Sequence, residues 1–193
     1  TFTDNSQATP YVSGLPDGGW VIIWLSSEQD GSLNDLYGQA FNADGSARGV
    51  ETRINSYTDS YQLEPELTVL SDGGWVVTWQ SLNQDGSGYG VYAQAFNANG
   101  SLNGGELQVN STSNGSQVNP TITALDDGGW VITWHATLQD GDGYGVYSRT
   151  FRPVDVDGVT VEITGEFAVG ETLTAQVIGV DDSDASITFG YVW

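Results

Sequence analysis

The tetrapeptide Asp-Gly-Gly-Trp occurs at Asp17–Trp20, Asp72–Trp75 and Asp127–Trp130, at a constant interval of 55 residues. No insertion disturbs this register, which also carries Pro10/Pro65/Pro120, Trp24/Trp79/Trp134, Tyr37/Tyr92/Tyr147 and Phe41/Phe96/Phe151. Self-similarity of this kind means one supersecondary unit used repeatedly, each copy burying its apolar surface against a neighbour. Any fold for this chain must satisfy the same unit three times over.

The second copy shows what that unit is. Pro65–Leu70 leads through Ser71-Asp72-Gly73-Gly74 into Trp75–Gln80. Two β-rich runs joined by glycines predict a hairpin with a tight primed turn, since glycine supplies the positive φ. Pro65 is expected at the start of its strand, where no ladder N–H is required. A loop over Ser81–Gly90, a run Val91–Phe96, a turn Asn97–Ser101 and a run Glu106–Val109 complete a four-stranded antiparallel meander.

Trp75, Val77 and Trp79 fall on one face of the second strand and Val76 and Thr78 on the other, so the sheet is apolar on both sides. The alternation of Trp20, Trp24, Trp75, Trp79, Trp130 and Trp134 favours core over a carbohydrate platform. Each such ring contributes on the order of 2 to 3 kcal/mol when buried. The expected fold is all-β, with three tandem four-stranded antiparallel repeats packed as β-propeller-like blades; the alternative is a β-prism-like three-sheet arrangement. Closed propellers use about 4 to 8 blades, so a homo-oligomer or further repeats would complete the ring.

The third copy departs from the pattern after Phe151, where Arg152-Pro153-Val154-Asp155 replaces the expected turn. This places a boundary after residue 153, giving a three-repeat domain over 1–153 and a further β segment over 154–193. Val161–Thr164 falls where a fourth strand belongs, so the segment is either closing strands or the start of a second domain. Repeat sequence begins directly at the first residues, and the chain reads as a segment of a longer one.

Asp and Glu number 25 against 4 basic residues, for a formal net charge of −21. Such a surface repels phosphate backbones and anionic lipid, which argues against nucleic-acid binding and against membrane insertion; cations are its natural partners. The chain has no cysteine, so disulfide and thiolate chemistry are excluded. Its apolar runs are too short to span a bilayer.

The text Asp72–Ser81, Gln84–Gly88 and Val91–Gly100 resembles a repeat of large secreted or surface proteins of bacteria, found beside RTX-type and adhesin sequence. The resemblance covers roughly residues 5 to 152. Val169–Ala175 followed by Tyr191-Val192-Trp193 looks like the opening of a bacterial Ig-like repeat, of which only the first half is present. The resemblance implies an extracellular or cell-surface location in bacteria.

Three loops carry candidate chemistry. Gln29-Asp30-Gly31, Gln84-Asp85-Gly86 and Gln139-Asp140-Gly141-Asp142 set carboxylates among glycines, as calcium loops do, which makes Asp30, Asp85, Asp140 and Asp142 candidate calcium ligands. The same Asp-Gly pairs are ordinary turn chemistry. Tyr89 and Tyr144, beside Gln84 and Gln139, suit stacking on sugar rings and hydrogen bonding to their hydroxyls. The sole histidine, His135, stands where the other copies have Leu25 and Gln80, which argues against a catalytic or zinc role.

These features together point to a non-enzymatic extracellular binding module that contacts glycans or other surface ligands, with calcium as its candidate cofactor. The alternatives are a structural spacer or oligomerisation module, and an accessory domain of a polysaccharide-degrading enzyme.

Overall fold

The Asp-Gly-Gly sequence closes the first hairpin of every copy. In the second, Leu70 N–H donates to Gly74 O at 2.8 Å and Gly73 N–H donates to Leu70 O at 3.0 Å. Gly73 lies at φ 85°, in the left-handed region, and Asp72 Oδ1 accepts the Gly74 N–H at 2.8 Å. The result is a three-residue loop ending in a left-handed glycine, one residue longer than the primed turn that the sequence suggests. The Asp72 carboxylate makes the difference, because it satisfies the backbone donor that a tighter turn would spend in the ladder. Gly74 is needed for a separate reason: a Cβ there would lie 2.8 Å from Phe96 O.

In this computed structural model the described residues are 4–29, 31, 33–137, 139, 141, 143–152, 160–164 and 174–178. The first sheet contains β1 (Gln7–Gly14), β2 (Trp20–Ser27), β3 (Asn34–Phe41) and β4 (Ala47–Arg53) in that order. The second contains β5 (Gln62–Val69), β6 (Trp75–Leu82), β7 (Tyr89–Phe96) and β8 (Leu102–Gln108). The third contains β9 (Gln117–Ala124), β10 (Trp130–Thr137) and β11 (Tyr144–Phe151). All three are antiparallel meanders, and the fold is all-β with propeller-like sheets. Among the described residues no helix is long and apolar enough to cross a membrane.

The chain divides into two compact units, Thr1–Arg152 and Pro153–Trp193. In the second, β12 (Thr160–Thr164) pairs antiparallel with β13 (Thr174–Ile178). The third sheet has three strands among the described residues, one fewer than the repeat predicts.

Pro65 sits inside β5 instead of opening it. The ladder passes from Leu63 opposite Gln80 to Glu66 opposite Thr78, leaving Glu64 and Pro65 without partners. Glu64 takes φ 51°, and the residues before the other two prolines, Thr9 and Asn119, take 46° and 51°. A bulge at this point removes the need for the N–H that proline lacks, which is how all three copies carry proline within a strand.

Two cores hold the sheets face to face. In the first, Val21, Ile23, Leu25, Leu36 and Ala40 of the first sheet pack on Trp75, Val77, Trp79, Tyr92 and Phe96 of the second. In the second, Val76, Val91, Ala93 and Ala95 of the second sheet pack on Ile132 and Trp134 of the third. The middle sheet is thus buried on both faces, as its two-sided apolar pattern requires. Trp79 is fully buried. Trp79→Ala is expected to cost about 3–5 kcal/mol of unfolding free energy, and Gly74→Ala about 1–3 kcal/mol through its clash with the Phe96 carbonyl. Urea denaturation of the two variants checks both values.

Candidate functional site at the loop end of the sheets

The meander sends the β2–β3, β6–β7 and β10–β11 loops to the same end as the linkers between sheets. Asn55 and Asn110 pin those linkers. Asn110 Oδ1 accepts the Val91 N–H at 2.8 Å, and its Nδ2 donates to Thr112 O and Gln117 Oε1, both at 3.0 Å. Asn55 repeats the pattern, with Oδ1 accepting the Leu36 N–H at 2.7 Å and Nδ2 donating to Asp35 and to Tyr57 O. Both asparagines are buried, so each bond replaces water that would otherwise be lost.

Glu106 joins two of these segments. Its Oε1 accepts from Gln84 Nε2, and its Oε2 accepts the Ser56 N–H at 2.6 Å. The first copy uses the same device, with Gln29 Nε2 donating to Glu51 Oε1 at 2.7 Å. The Oε1 atoms of Gln29, Gln84 and Gln139 are buried without a partner among the described residues. Gln84 is therefore engaged in holding its loop.

Asp85 is engaged in the same way. Its Oδ1 accepts the Ser87 N–H at 3.1 Å, and its Oδ2 accepts from Asn110 Nδ2 at 3.3 Å and Gln108 Nε2 at 3.4 Å. Asp30, Asp140 and Asp142 lie outside the described residues. Among the described residues no three His, Cys, Asp or Glu side chains come together as a metal site. The two tyrosines differ in setting. Tyr89 opens β7, half-buried, with its N–H 3.4 Å from Ser116 Oγ. Tyr144 is 73% exposed and meets the His135 ring edge-on at 5.3 Å.

A cleft of about 420 Å³ opens between the first and second sheets, lined by Tyr37, Arg53, Asn55, Ser56, Gln94 and Glu106, among others. It brings a guanidinium, a carboxylate, two amides and two hydroxyls around one space. At the corresponding place between the second and third sheets, Arg149 stands where Gln94 does and donates to Gln108 O and Val109 O at 3.4 and 3.2 Å. The sequence does not reveal this cleft, because its walls come from two copies and from positions where the copies differ.

A second group escapes sequence reading as well. Glu64 and Glu66 of β5 lie near Tyr11 of β1. Burial, then the neighbouring Glu64, holds the Glu66 carboxyl above its ordinary range, and burial followed by Glu66 and Glu64 raises the Tyr11 phenol. The available signal is the Glu-Pro-Glu run of the second copy, where the other copies carry Thr9 and Asn119 around the same proline.

No family model matches this sequence, and no curated protein matches it. Solved structures similar to it in chain trace include an endo-arabinase from Bacteroides thetaiotaomicron, with TM-score 0.49, 15% identity and coverage of 77% of this chain. A thermostable family-43 glycoside hydrolase gives TM-score 0.48 at 12% identity over 93% of this chain. A fucose lectin from Kordia zhangzhouensis, in complex with methyl-fucoside, gives 0.41 at 12% identity, covering 72% of this chain and 97% of the lectin. The chain spans 57% of the length of the endo-arabinase and 60% of that of the family-43 enzyme.

The raised Glu66 carboxyl binds its proton more readily in the folded state than in the unfolded one. It therefore favours folding below the unfolded carboxylate pKa and loses that contribution as pH rises through its raised folded value. Glu66→Gln is expected to raise the melting temperature at pH 7, with the gain shrinking toward pH 4. Thermal denaturation of both proteins across that range checks the sign.

Proposed function

We propose that this chain is a non-enzymatic, extracellular glycan-binding module of a large bacterial surface or secreted protein, with its binding surface at the loop end of the sheets. The observation that carries the reading is the inter-sheet cleft, where the exposed Arg53 and Ser56 stand beside the Glu106 carboxylate and the Tyr37 ring. A sugar offers what such a wall recognises: hydroxyls that both donate and accept, over an apolar ring face. Tyr89 and Tyr144 supply further rings for stacking. The acidity supports the choice of a neutral glycan over a polyanion.

The non-enzymatic reading rests on how the candidate groups are used. Asp85 and Glu106 accept hydrogen bonds that fix loops, and His135 packs against Tyr144. The described part of the second Asp-Gly loop gives calcium no ligand set, so the calcium proposal rests on the sequence of the first and third loops alone.

A glycan array read with and without calcium tests the proposal. The expected result is selective capture of one neutral glycan class, weakened about tenfold by Arg53→Ala, which corresponds to one charge-assisted hydrogen bond. Tyr144→Ala, at an exposed position, should lower capture while leaving the melting temperature unchanged. An array silent in both conditions would remove the binding function.

A further inference from the structure

Among the described residues the strand-two tryptophan face is built three times but covered twice. In the second sheet Val77, Trp79, Gln94 and Phe96 are buried, with exposures of 0, 0, 2 and 1%, because the first sheet lies on them. Their counterparts in the first sheet, Ile22, Trp24, Gln39 and Phe41, are the same kinds of residue, yet all are partly exposed. They line an open groove of about 470 Å³ running across all four strands.

The opposite end of the stack shows the matching surface. The face that covers a tryptophan sheet carries Leu36 and Ala40 in the first sheet and Val91, Ala93 and Ala95 in the second, all buried. In the third sheet the same positions are Val146, Ser148 and Thr150, and Val146 is 83% exposed. The internal seam between the second and third sheets also shows which polar atoms meet. Gln80 Oε1 accepts the Asn119 N–H at 2.9 Å, and Thr68 Oγ1 accepts the Ala124 N–H at 3.1 Å. Shifted by one sheet, the acceptors become His135 and Thr123, and the donors become the backbone of Thr9 and Gly14.

We infer that a second copy of this chain covers the groove, with the Val146 face of its third sheet seated on the Trp24 face of the first, and with the reverse contact closing a ring of six sheets. The two ends repeat the pattern of an interface that the chain already makes internally, with Val146 in place of Val91 and Thr123 in place of Thr68, while His135 replaces Gln80 and Ser148 and Thr150 replace Ala93 and Ala95. Six sheets fall within the about 4 to 8 of closed propellers. A head-to-tail contact of this type closes only if its rotation fits, and otherwise it propagates. Ser148 and Thr150 add hydroxyls to one side of the contact, which makes it weaker than the internal seams and reversible. This inference stands apart from glycan binding, since the groove and the inter-sheet cleft are different surfaces.

Light scattering of the 193-residue chain over a concentration series tests it. The expected result is a rise from the 20.6 kDa chain mass to a limiting species of two copies. Val146→Arg, at an exposed position, should hold the mass at one copy while far-UV circular dichroism and melting temperature stay unchanged, and the tryptophan emission shift that accompanies dimer formation should vanish with it. A chain monomeric at every concentration, a dimer indifferent to Val146→Arg, or a series of ever larger species would each overturn the inference.

Discussion

The contact of Trp75 and Trp79 with Val21, Ile23 and Leu25 is the interaction on which everything else depends. Neither sheet of this pair could persist alone with an apolar face in water, and the tryptophans bury enough area to make stacking favourable. Trp75 lies flat on Phe96 with ring centroids 3.8 Å apart, and Trp79 stacks on Tyr92 at 6.5 Å. The aromatic residues of neighbouring strands therefore form one slab that the preceding sheet covers. The indole Nε1 atoms of Trp75 and Trp79 are buried without an acceptor among the described residues, so these rings act through packing alone.

Given that slab, the loops have little freedom. The second and third strands of each sheet are held in register by direct pairing, Trp79 opposite Tyr92 and Trp24 opposite Tyr37. Asn55 and Asn110 then fasten the inter-sheet linkers to the third strand through its backbone N–H groups. Arg48 performs a related task at the other end: it donates to Ala98 O of the second sheet at 3.0 Å and to Asp17 Oδ2 at 2.6 Å. The Gly19 N–H first, and Arg48 second, hold the Asp17 carboxyl below its ordinary range. Its contribution is present above the unfolded carboxylate pKa and is lost as pH falls through the lowered value.

The repeat made the strands and the two-faced burial of β6 legible, because both follow from alternation and from glycine at fixed places. It did not reveal the bulge before Pro65, since a bulge is a property of two paired strands and Pro65 alone is equally at home at a strand's start. Nor did it reveal the length of the Asp72 loop, which depends on a side chain accepting a backbone N–H. The site was harder still. Asp85 and Gln84 were visible as candidates, but their partners, Asn110 and Glu106, are about two dozen residues away in sequence and become neighbours only when the meander folds.

The positions that repeat without change are those that carry the fold, and the positions that differ are those free to carry function. Glu51 and Glu106 anchor the loop glutamine in the first two copies, whereas the third has Val161 at the same interval, in a strand of the other unit. Gln94 becomes Arg149 at the second seam, where its guanidinium donates to the backbone carbonyls of Gln108 and Val109. The seams are thus equivalent in their cores and unequal at their mouths. A ligand that reads the cleft by Arg53 and Glu106 would find one such site among the described residues, because the second seam offers Gln108 in place of Arg53. Repetition here builds the frame, and specificity enters through departures from it.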